Sequence, residues 1–330
     1  MARPQVTVIV LGGTITMSSA DNTDKQKGIT PKLTGADLIR LIPGLDDELQ
    51  LDVQTPFLKP GPSIEPEDIL KIAQQIEADS RSAGTVIVQG TDTIDETSYL
   101  LDLLTGVQQA VVVTGAMRGA DALSADGPAN LAAAIRVAAS PKAKTMGTLV
   151  CLNDEIHAAR EVQKNHKFLL SSFESIQSGP LGYFYEGEVH FIRQLNPFDK
   201  PIKPKRFAKV AIIKVGLGSE DDLIKALPSL GYEGAIIEAA GVGHLQEKLV
   251  DALAQLTLEM PVILCSRVNK GPIFKNTYGF PGSEIDLQSK GLLNGQWLNA
   301  TKARLLLSSL LGAEVAQPSL PERLAYYGQA

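Results

Sequence analysis

Short β-branched runs that alternate with helix-like segments constrain the fold of this chain more than any other feature. Residues 6–11 and 85–89 are apolar runs of strand length, and such runs are typical of strands buried on both faces. Further elements are predicted as strands at 110–114 and 148–152 and as helices over 34–42, from residue 65, around 99–104 and over 130–139. The alternation predicts an α/β fold whose first part is a flavodoxin-like, doubly wound and mainly parallel sheet.

A proline-rich segment divides this alternation into two parts. Residues 194–207 contain three prolines and break all periodicity, as is typical of a linker. A second alternation follows, with predicted strands near 210–214, 235–238 and 262–265 and a helix over 300–311. Because 330 residues exceed the size at which one core keeps growing, we predict an N-terminal domain over 1–193 and a smaller C-terminal α/β domain over 208–330.

Charge and hydropathy narrow the range of partners. The formal net charge is −6 and no basic stripe is present, so a nucleic-acid partner is not expected. No apolar run reaches the roughly 18 residues that span a bilayer, so no membrane partner is expected. The first five residues lead straight into a strand without the pattern of a signal peptide. We therefore expect a cytoplasmic protein.

Cysteine and histidine usage predicts no disulfide, metal site or cofactor. Cys151 and Cys265 each lie on an apolar run and are predicted to be small core residues. The four histidines have no metal-ligand spacing. Residues 216–219 hint at a dinucleotide loop but lack its third glycine, and Ser219 with Asp222 is predicted to form a capping box instead.

Polar loops follow the strands at 6–11 and 85–89. The first contains Gly13 and Thr14, and the second contains Gly90, Thr91 and Asp92. In open α/β sheets, ligands bind beyond the carboxyl ends of the strands, where such loops lie. A threonine hydroxyl with a second hydroxyl beside a carboxylate suits covalent catalysis if a base takes the proton. The alternative is that these side chains cap a tight turn and the next helix.

Two further features are ambiguous by themselves. Lys164 could hold or accept a proton in a desolvated site beside a carboxylate, although a single lysine is ordinarily a solvated surface residue. Residues 115–128 could present backbone groups to a polar substrate. Alternatively, they form a rigid connecting loop in which Arg118 pairs with Asp121 or Asp126.

These motifs and several others follow one another along nearly the whole chain. They lie at residues 12–14, 90–97, 115–118, 124–128, 152–154, 162–164, 179–183 and 241–243. In this combination the chain resembles the bacterial-type L-asparaginases and glutaminase-asparaginases. The resemblance is specific because several ordered motifs agree, whereas each one alone is common.

The resemblance implies a threonine acyl-enzyme. Thr14 would attack the carbon of the side-chain amide, and Thr91, Asp92 and Lys164 would handle the protons and ready the water that hydrolyses the ester. Asp92 would also bind the α-amino group of the substrate. Backbone N–H groups around Gly13 or Thr91 would stabilise the oxyanion.

The resemblance also implies further substrate contacts and an oligomer. The Ala116 carbonyl would accept a hydrogen bond from the amide nitrogen, and Gly90 would line the site. Glu284 of the C-terminal domain would grip the α-amino group across a subunit interface. Family members are usually tetramers built from intimate dimers, and their sites lie at the dimer interface between one subunit's N-terminal domain and a neighbour's C-terminal domain.

The chain departs from the family pattern around the nucleophile. Leu11 stands where the family has a threonine before its two glycines. The family also has a tyrosine on the mobile loop after the nucleophile, whereas this chain has none before Tyr99, and Gly28 falls near that position. Residues 18–29 remain a predicted lid, but Thr14 must then be activated in another way.

A second departure concerns the predicted substrate-binding segments. Gly61 stands where the family has a serine that binds the substrate carboxylate, with Ser63 two residues on. A missing hydroxyl leaves a polar substrate group unmatched, and Lys59 is the cation available to compensate. His244 replaces an asparagine in the C-terminal domain; it is either a carboxylate donor with pH sensitivity or a loop residue without a ligand.

These observations leave three functions open. The first is an amidohydrolase that converts L-asparagine to L-aspartate and ammonia. The second is a related amidase that acts on a modified or peptide-linked asparagine or glutamine or on a biosynthetic intermediate. The third is a catalytically silent protein that binds an acidic amino acid. In each case the partner is a small molecule with an amino-acid skeleton.

Overall fold

The chain folds into two compact units. The computed structural model describes residues 3–19, 29–31, 33–40, 42, 44–106 and 109–329. The units are Met1–Pro201 and Ile202–Ala330, and their boundary falls within the segment 194–207. The extents of the two domains at residue level stay predictions.

The first unit contains the longer alternation of strands and helices. Its elements, in chain order, are β1 (Gln5–Val10), β2 (Met17–Ser19), β3 (Ile29–Pro31), α1 (Gly35–Arg40), α2 (Leu45–Glu48), β4 (Gln50–Gln54), α3 (Pro66–Ala78), β5 (Gly84–Val88), α4 (Ile94–Leu104), β6 (Ala110–Thr114), α5 (Gly127–Ala139), β7 (Thr148–Leu152), β8 (Glu155–Ala158), β9 (Val162–Lys164), β10 (Phe173–Ser175), β11 (Gly182–Tyr185) and β12 (Glu188–Phe191).

Eight of the described strands form one sheet, in the order β12-β11-β8-β7-β6-β5-β1-β4. The strands from β4 to β7 pair in parallel, whereas β8, β11 and β12 extend the sheet antiparallel. The parallel part has the strand order of a flavodoxin-like sheet, whose winding reverses between β1 and β5. This confirms the predicted fold class and makes the carboxyl ends of β1 and β5 the place where a ligand site is expected.

The helices follow from local sequence signals. Glu65 and Asp68 form a capping box at the start of α3, and Pro66 occupies its first turn. Ile69, Ile72, Ala73 and Ile76 then form its buried face. Every residue of β5 and β6 is buried, as expected for central strands covered on both faces.

The second unit contains a smaller sheet. Its elements are β13 (Val210–Lys214), α6 (Asp222–Ala226), β14 (Gly234–Ala239), α7 (Val250–Glu259), β15 (Val262–Ser266), α8 (Glu284–Ser289), β16 (Leu293–Asn294), α9 (Ala300–Gly312) and α10 (Leu320–Tyr327). The strands pair in parallel in the order β13-β14-β15-β16.

The predicted capping box of Ser219 and Asp222 is wrong. The Ser219 hydroxyl accepts the backbone N–H of Gly216, so it closes the turn before the helix, and α6 starts only at Asp222.

Within the described residues, we find no helix with the length and apolar character needed to cross a membrane.

The start of β5 packs directly on the end of α5. A Cβ atom built on Gly84 would lie well under 3.0 Å from the carbonyl oxygen of Ala138, a distance that real Cβ atoms essentially never show. We expect Gly84→Ala to force this helix end away from the sheet and to lower the free energy of unfolding by about 1–3 kcal/mol. Thermal denaturation measures the loss.

Gly216→Ala is the matched control for this prediction. A Cβ atom at Gly216 would meet nothing within 4 Å, so its unfolding midpoint is expected to stay close to that of the wild type. Equal midpoints for both variants would contradict the packing argument.

Candidate active site at the carboxyl edge of the first sheet

Two threonine-bearing loops leave neighbouring strands side by side. Thr14 begins a 3₁₀ turn, Thr14–Thr16, shortly after β1, and Thr91 begins another, Thr91–Thr93, shortly after β5. Neither Thr91 nor Asp92 is the cap residue of α4, and no side-chain hydrogen bond caps the turn at Thr14. The capping alternative therefore does not describe these loops.

Glycines allow the backbones of three loops to touch. A Cβ atom on Gly13 would lie well under 3.0 Å from the backbone nitrogen of Gly90, and one on Gly12 would collide with the backbone of Lys59. A Cβ atom on Gly90 would lie 3.1 Å from the backbone nitrogen of Gly61. Gly13 also has φ of 91°, where a side chain is strained. The predicted residues Gly13, Gly90 and Gly61 are thus brought together through their main chains.

Lys164 reaches the second loop from β9. Its Nζ donates to Thr91 Oγ1 at 2.9 Å and to Asp92 Oδ1 at 2.8 Å. The Lys164 side chain is only 15% exposed, whereas that of Asp92 is 65% exposed. A solvated surface lysine therefore does not describe this residue. The structure brings Thr91, Asp92 and Lys164 into one hydrogen-bonded cluster.

Asp95 holds Lys164 in place and was not predicted as a site residue. Its Oδ2 accepts the backbone N–H of Lys164 at 3.3 Å, and β9 is further held by pairing with β10. Asp95 lies in the first turn of α4, a position that the sequence explains equally well by the helix dipole. Because an acidic residue is common in the first turn of a helix, the sequence carried no separate signal that Asp95 binds the backbone of Lys164.

The Gly61 turn is bonded to the Thr91 loop. Gln89 is buried, and its Nε2 donates to Thr93 Oγ1 at 3.2 Å. The Thr93 hydroxyl donates in turn to the Gly61 carbonyl at 3.2 Å. Ser63 ends the same 3₁₀ turn and is exposed, and no hydrogen bond within the described residues joins its side chain to the other predicted site residues.

The expectation that Lys59 compensates for the missing serine is wrong in this structure. Its Nζ binds Asp68 Oδ2 at 2.5 Å and lies over the Phe57 ring. Burial raises the pKa of the Asp68 carboxyl, but the hydrogen bonds from Lys59 and from the N–H of Glu65 outweigh it and hold the pKa below its ordinary value. The Lys59 charge therefore stabilises the ionised Asp68 carboxylate at the start of α3.

The loop after β6 lies beside both threonine loops. A Cβ atom on Gly115 would lie 3.4 Å from Thr91 Cγ2, and one on Gly127 would lie 2.8 Å from Ile15 Cγ1 and 3.5 Å from the Ala116 Cβ. Ala116 itself is buried. These contacts bring the predicted substrate-binding residue Ala116 to the edge of the cluster.

Asp126 organises this loop in a way that was only partly expected. Its carboxylate accepts the backbone N–H groups of Met117 and Arg118, both at 2.9 Å. The Arg118 guanidinium does not pair with it but donates to Ser124. The loop is therefore rigid, as one alternative predicted, but it is held by hydrogen bonds from its backbone N–H groups to the Asp126 carboxylate and not by an Arg118 ion pair.

The predicted residues His244 and Glu284 belong to the second unit, where they bind each other. His244 Nε2 lies 3.2 Å from Glu284 Oε2, and the His244 ring packs edge-on against Tyr278 and Phe280. Glu284 Oε1 accepts the N–H groups of Thr277 and Tyr278 at 2.9 and 2.8 Å.

The Glu284 carboxylate is fully buried in this unit. Both of its oxygens are engaged within this unit, and the predicted substrate contact across a subunit interface stays a prediction. Burial raises the pKa of Glu284, but the hydrogen bonds from Tyr278, Thr277 and His244 outweigh it and hold the pKa below its ordinary value of 4.5.

The predicted lid, residues 18–29, lies mostly outside the described residues. On either side of it β2 and β3 pair antiparallel, with Ser19 opposite Ile29. Thr16 connects this hairpin to the loop of Thr14, because its carbonyl accepts the N–H of Leu33 and its hydroxyl donates to the Gly13 carbonyl at 2.7 Å.

Neither cysteine contributes to a site. Both are buried, and burial, with a smaller contribution from Asp154, raises the pKa of Cys151 to about 12. Burial likewise raises the pKa of Cys265. Such thiols stay protonated at neutral pH and are inert as nucleophiles. Among the described residues, no group of three or more His, Cys, Asp or Glu side chains could hold a metal ion.

Comparison with known proteins agrees with this architecture. A family model described as "Asparaginase, N-terminal" matches residues 5–197, and one described as "Glutaminase/Asparaginase C-terminal domain" matches residues 209–321. The chain is 31% identical to L-asparaginase 2 of Escherichia coli (strain K12), covering 94% of this chain and 90% of that protein.

Two further relatives match at similar identity. L-asparaginase of Bacillus licheniformis is 30% identical over 94% of this chain and 96% of that protein. A probable periplasmic L-asparaginase of Haemophilus influenzae is 32% identical over 93% of this chain and 88% of that protein.

The lowered pKa of Glu284 predicts a pH-dependent contribution to stability. The ionised carboxylate stabilises the fold at pH values above 4.5, and this contribution is lost as the pH falls through the lower folded-state value. We expect Glu284→Gln to lower the unfolding midpoint at pH 7, and the difference from the wild type to shrink as the pH falls below 4.5. Thermal unfolding at several pH values measures this.

Glu259→Gln is the control for the Glu284 variant, because Glu259 is an exposed carboxylate of the same unit. Its midpoint is expected to follow that of the wild type at each pH. A Glu284→Gln difference that stayed constant from pH 7 to low pH would contradict the assigned role of the ionised carboxylate.

Proposed function

The chain belongs to the asparaginase family, since models of both family domains match it, and on that premise we propose that it hydrolyses the side-chain amide of L-asparagine to L-aspartate and ammonia. The enzyme is thus a hydrolase that acts on the carbon–nitrogen bond of a linear amide. We further propose that Thr14 forms the acyl-enzyme.

One observation carries this proposal. Lys164 Nζ lies within hydrogen-bond distance of both Thr91 Oγ1 and Asp92 Oδ1, although Lys164 is more than 70 residues away in sequence. A mostly buried lysine that binds a hydroxyl and a carboxylate at a sheet's carboxyl edge is suited to proton transfer. A surface loop that only connects two elements does not require a buried lysine bound to a hydroxyl and a carboxylate.

The first half of the reaction forms an ester. Thr14 Oγ1 attacks the amide carbon and gives up its proton to the Thr91–Lys164 pair. The carbon–nitrogen bond then breaks, and the nitrogen takes up a proton and leaves as ammonia. Backbone N–H groups around Gly13 or Thr91 would stabilise the oxyanion, and each such donor contributes about 3 kcal/mol in acyl-transfer enzymes.

The second half hydrolyses this ester. A water molecule loses a proton to the same pair and attacks the acyl carbon, the bond to Thr14 Oγ1 breaks, and the threonine recovers its proton. Asp92 supports both halves by balancing the charge of Lys164. Its largely exposed carboxylate is also the group we propose to bind the α-amino group of the substrate.

A second candidate function is favoured by the Gly61 segment. Gly61 offers no side-chain donor, and Lys59 is bound to Asp68, so this segment supplies no charged partner for a free α-carboxylate. A related amidase whose substrate has a modified or peptide-linked carboxyl group fits that observation. We retain it beside the leading proposal.

We also propose that the protein is a cytoplasmic homo-oligomer, a dimer or a tetramer. The oligomer follows from the family resemblance. The cytoplasmic location stays an expectation, and one relative is named as periplasmic.

Ammonia release by the purified protein over L-asparagine, D-asparagine and L-glutamine tests the leading proposal. We expect Thr14→Ala to lower the turnover of L-asparagine by roughly four to six orders of magnitude, as for loss of a nucleophile, and Lys164→Met by about 10³-fold or more. Lys167→Met is the control, because Lys167 is exposed on the same hairpin, and it should retain wild-type rates. Full activity of Thr14→Ala would refute the acyl-enzyme.

The two candidate functions differ in their best substrate. If the leading proposal is right, free L-asparagine has a higher kcat/KM than its α-methyl ester, whose carboxyl group is blocked. If the second candidate is right, the order reverses, because burying an unmatched carboxylate is costly. Comparing kcat/KM for the two compounds by ammonia release decides between them.

A further inference from the structure

The Ala116 carbonyl lacks a hydrogen-bond donor. Ala116 is buried, and no hydrogen bond from the described residues reaches its carbonyl oxygen. Buried backbone carbonyls almost always have a partner. The Ala116 carbonyl is therefore an unused acceptor in the loop beside Thr91.

Asp126 fixes the direction of this carbonyl. The Ala116 carbonyl and the Met117 N–H belong to the same peptide group, which is planar and trans, so the two bonds point in opposite directions. The Met117 N–H donates to Asp126 Oδ2 at 2.9 Å. Because the N–H is held towards Asp126, the carbonyl is aimed away from it.

Asn130 fixes the preceding peptide group. Its Nδ2 donates to the Gly115 carbonyl at 2.9 Å and to Asp126 Oδ2 at 3.0 Å. Its Oδ1 accepts the backbone N–H of Asn153 at 2.9 Å, so each end of the amide has partners of the correct kind. The peptide groups on both sides of Ala116 are therefore held, and its φ and ψ angles are set together.

The held carbonyl is adjacent to the proposed chemistry. Gly115 lies against Thr91, and Gly127 lies against both Ile15 and Ala116, so Ala116 is next to the loops that carry Thr14 and Thr91. An acceptor at this place can hold one N–H of a substrate amide. It then orients the nitrogen that must be protonated before it leaves.

We propose that Asp126 and Asn130 are positioning residues that make the site select amides over esters, by aiming the Ala116 carbonyl at the leaving nitrogen. This inference rests on the proposed amidohydrolase function. An ester has an oxygen in place of the leaving nitrogen and has no N–H to donate, so it gains nothing from the aimed carbonyl. Substitution at Asp126 or Asn130 should then penalise amide substrates selectively.

The test compares kcat/KM for L-asparagine with that for L-aspartate β-methyl ester, since both pass through the same acyl-enzyme. In Asp126→Asn one acceptor oxygen becomes an NH₂ group, which cannot accept a backbone N–H. Asn130→Ser removes the bonds to Gly115 and Asn153. We expect each variant to lose about 10- to 100-fold on the amide and to change by less than about threefold on the ester.

Asp79→Asn is the matched control. The Asp79 carboxylate likewise accepts two backbone N–H groups, from Arg81 and Ser82, and one side-chain donor, Thr7 Oγ1. It lies at the far end of α3, away from the threonine loops. Asp79→Asn should lower the unfolding midpoint and leave the amide-to-ester ratio of kcat/KM at the wild-type value.

If the wild type does not hydrolyse the ester, a binding measurement tests the same inference. In the Thr14→Ala background, calorimetry compares L-asparagine with L-aspartate, which has no amide N–H. We expect Asp126→Asn and Asn130→Ser to weaken asparagine binding by about tenfold or more and to leave aspartate binding unchanged.

The outcomes separate this inference from the proposed function. Equal losses on amide and ester, or equal losses for the two ligands, overturn the positioning role even if the wild type is an active asparaginase. A wild type that neither hydrolyses nor binds L-asparagine overturns the proposed function, and this inference fails with it.

Discussion

The site depends on backbones that approach each other more closely than side chains would allow. β1 and β5 are neighbouring parallel strands, so the loops beyond them start next to each other. They touch because Gly13 packs on Gly90, and the turn of Gly61 packs on Gly90 in turn. Thr14 and Thr91 each follow one of these glycines directly. The two hydroxyl-bearing residues are therefore neighbours because of a contact that any larger residue would prevent.

The cluster of Thr91, Asp92 and Lys164 includes a segment from far along the chain. Lys164 lies on a three-residue strand that could not by itself hold a lysine against a buried hydroxyl. Pairing with β10 and the bond from its N–H to Asp95 supply that support. Asp95 begins the same helix that Thr91 leads into, so one element holds both partners. Relative motion between Thr91 and Lys164 is restricted because both are tied to the start of α4.

The sequence was informative where a pattern repeats or a motif is long. The buried runs of β5, β6 and β7 predicted the central parallel strands closely, because strands covered on both faces are continuously apolar. β8, β11 and β12 were not predicted, since they are four residues long and mix polar with apolar residues. The ordered motifs led to the family, but they could not show which partner each side chain has. Lys59 illustrates this, because its partner Asp68 satisfies a helix start that the sequence also predicted.

The carboxylates of Asp92 and Asp126 in the first unit and of Glu284 in the second are of two kinds, and the difference bears on substrate binding. Asp126 and Glu284 each accept hydrogen bonds from two backbone N–H groups, so these carboxylates stabilise the conformations of their loops. Asp92 differs: within the described residues only Lys164 binds its carboxylate, at Oδ1, and its side chain is largely exposed. A carboxylate with an uncommitted oxygen beside the proposed nucleophile can receive a cationic amino group at little cost, whereas Asp126 could do so only by releasing the loop that holds Ala116. This difference supports the proposal that a substrate's amino group binds Asp92 and that its amide nitrogen binds the Ala116 carbonyl.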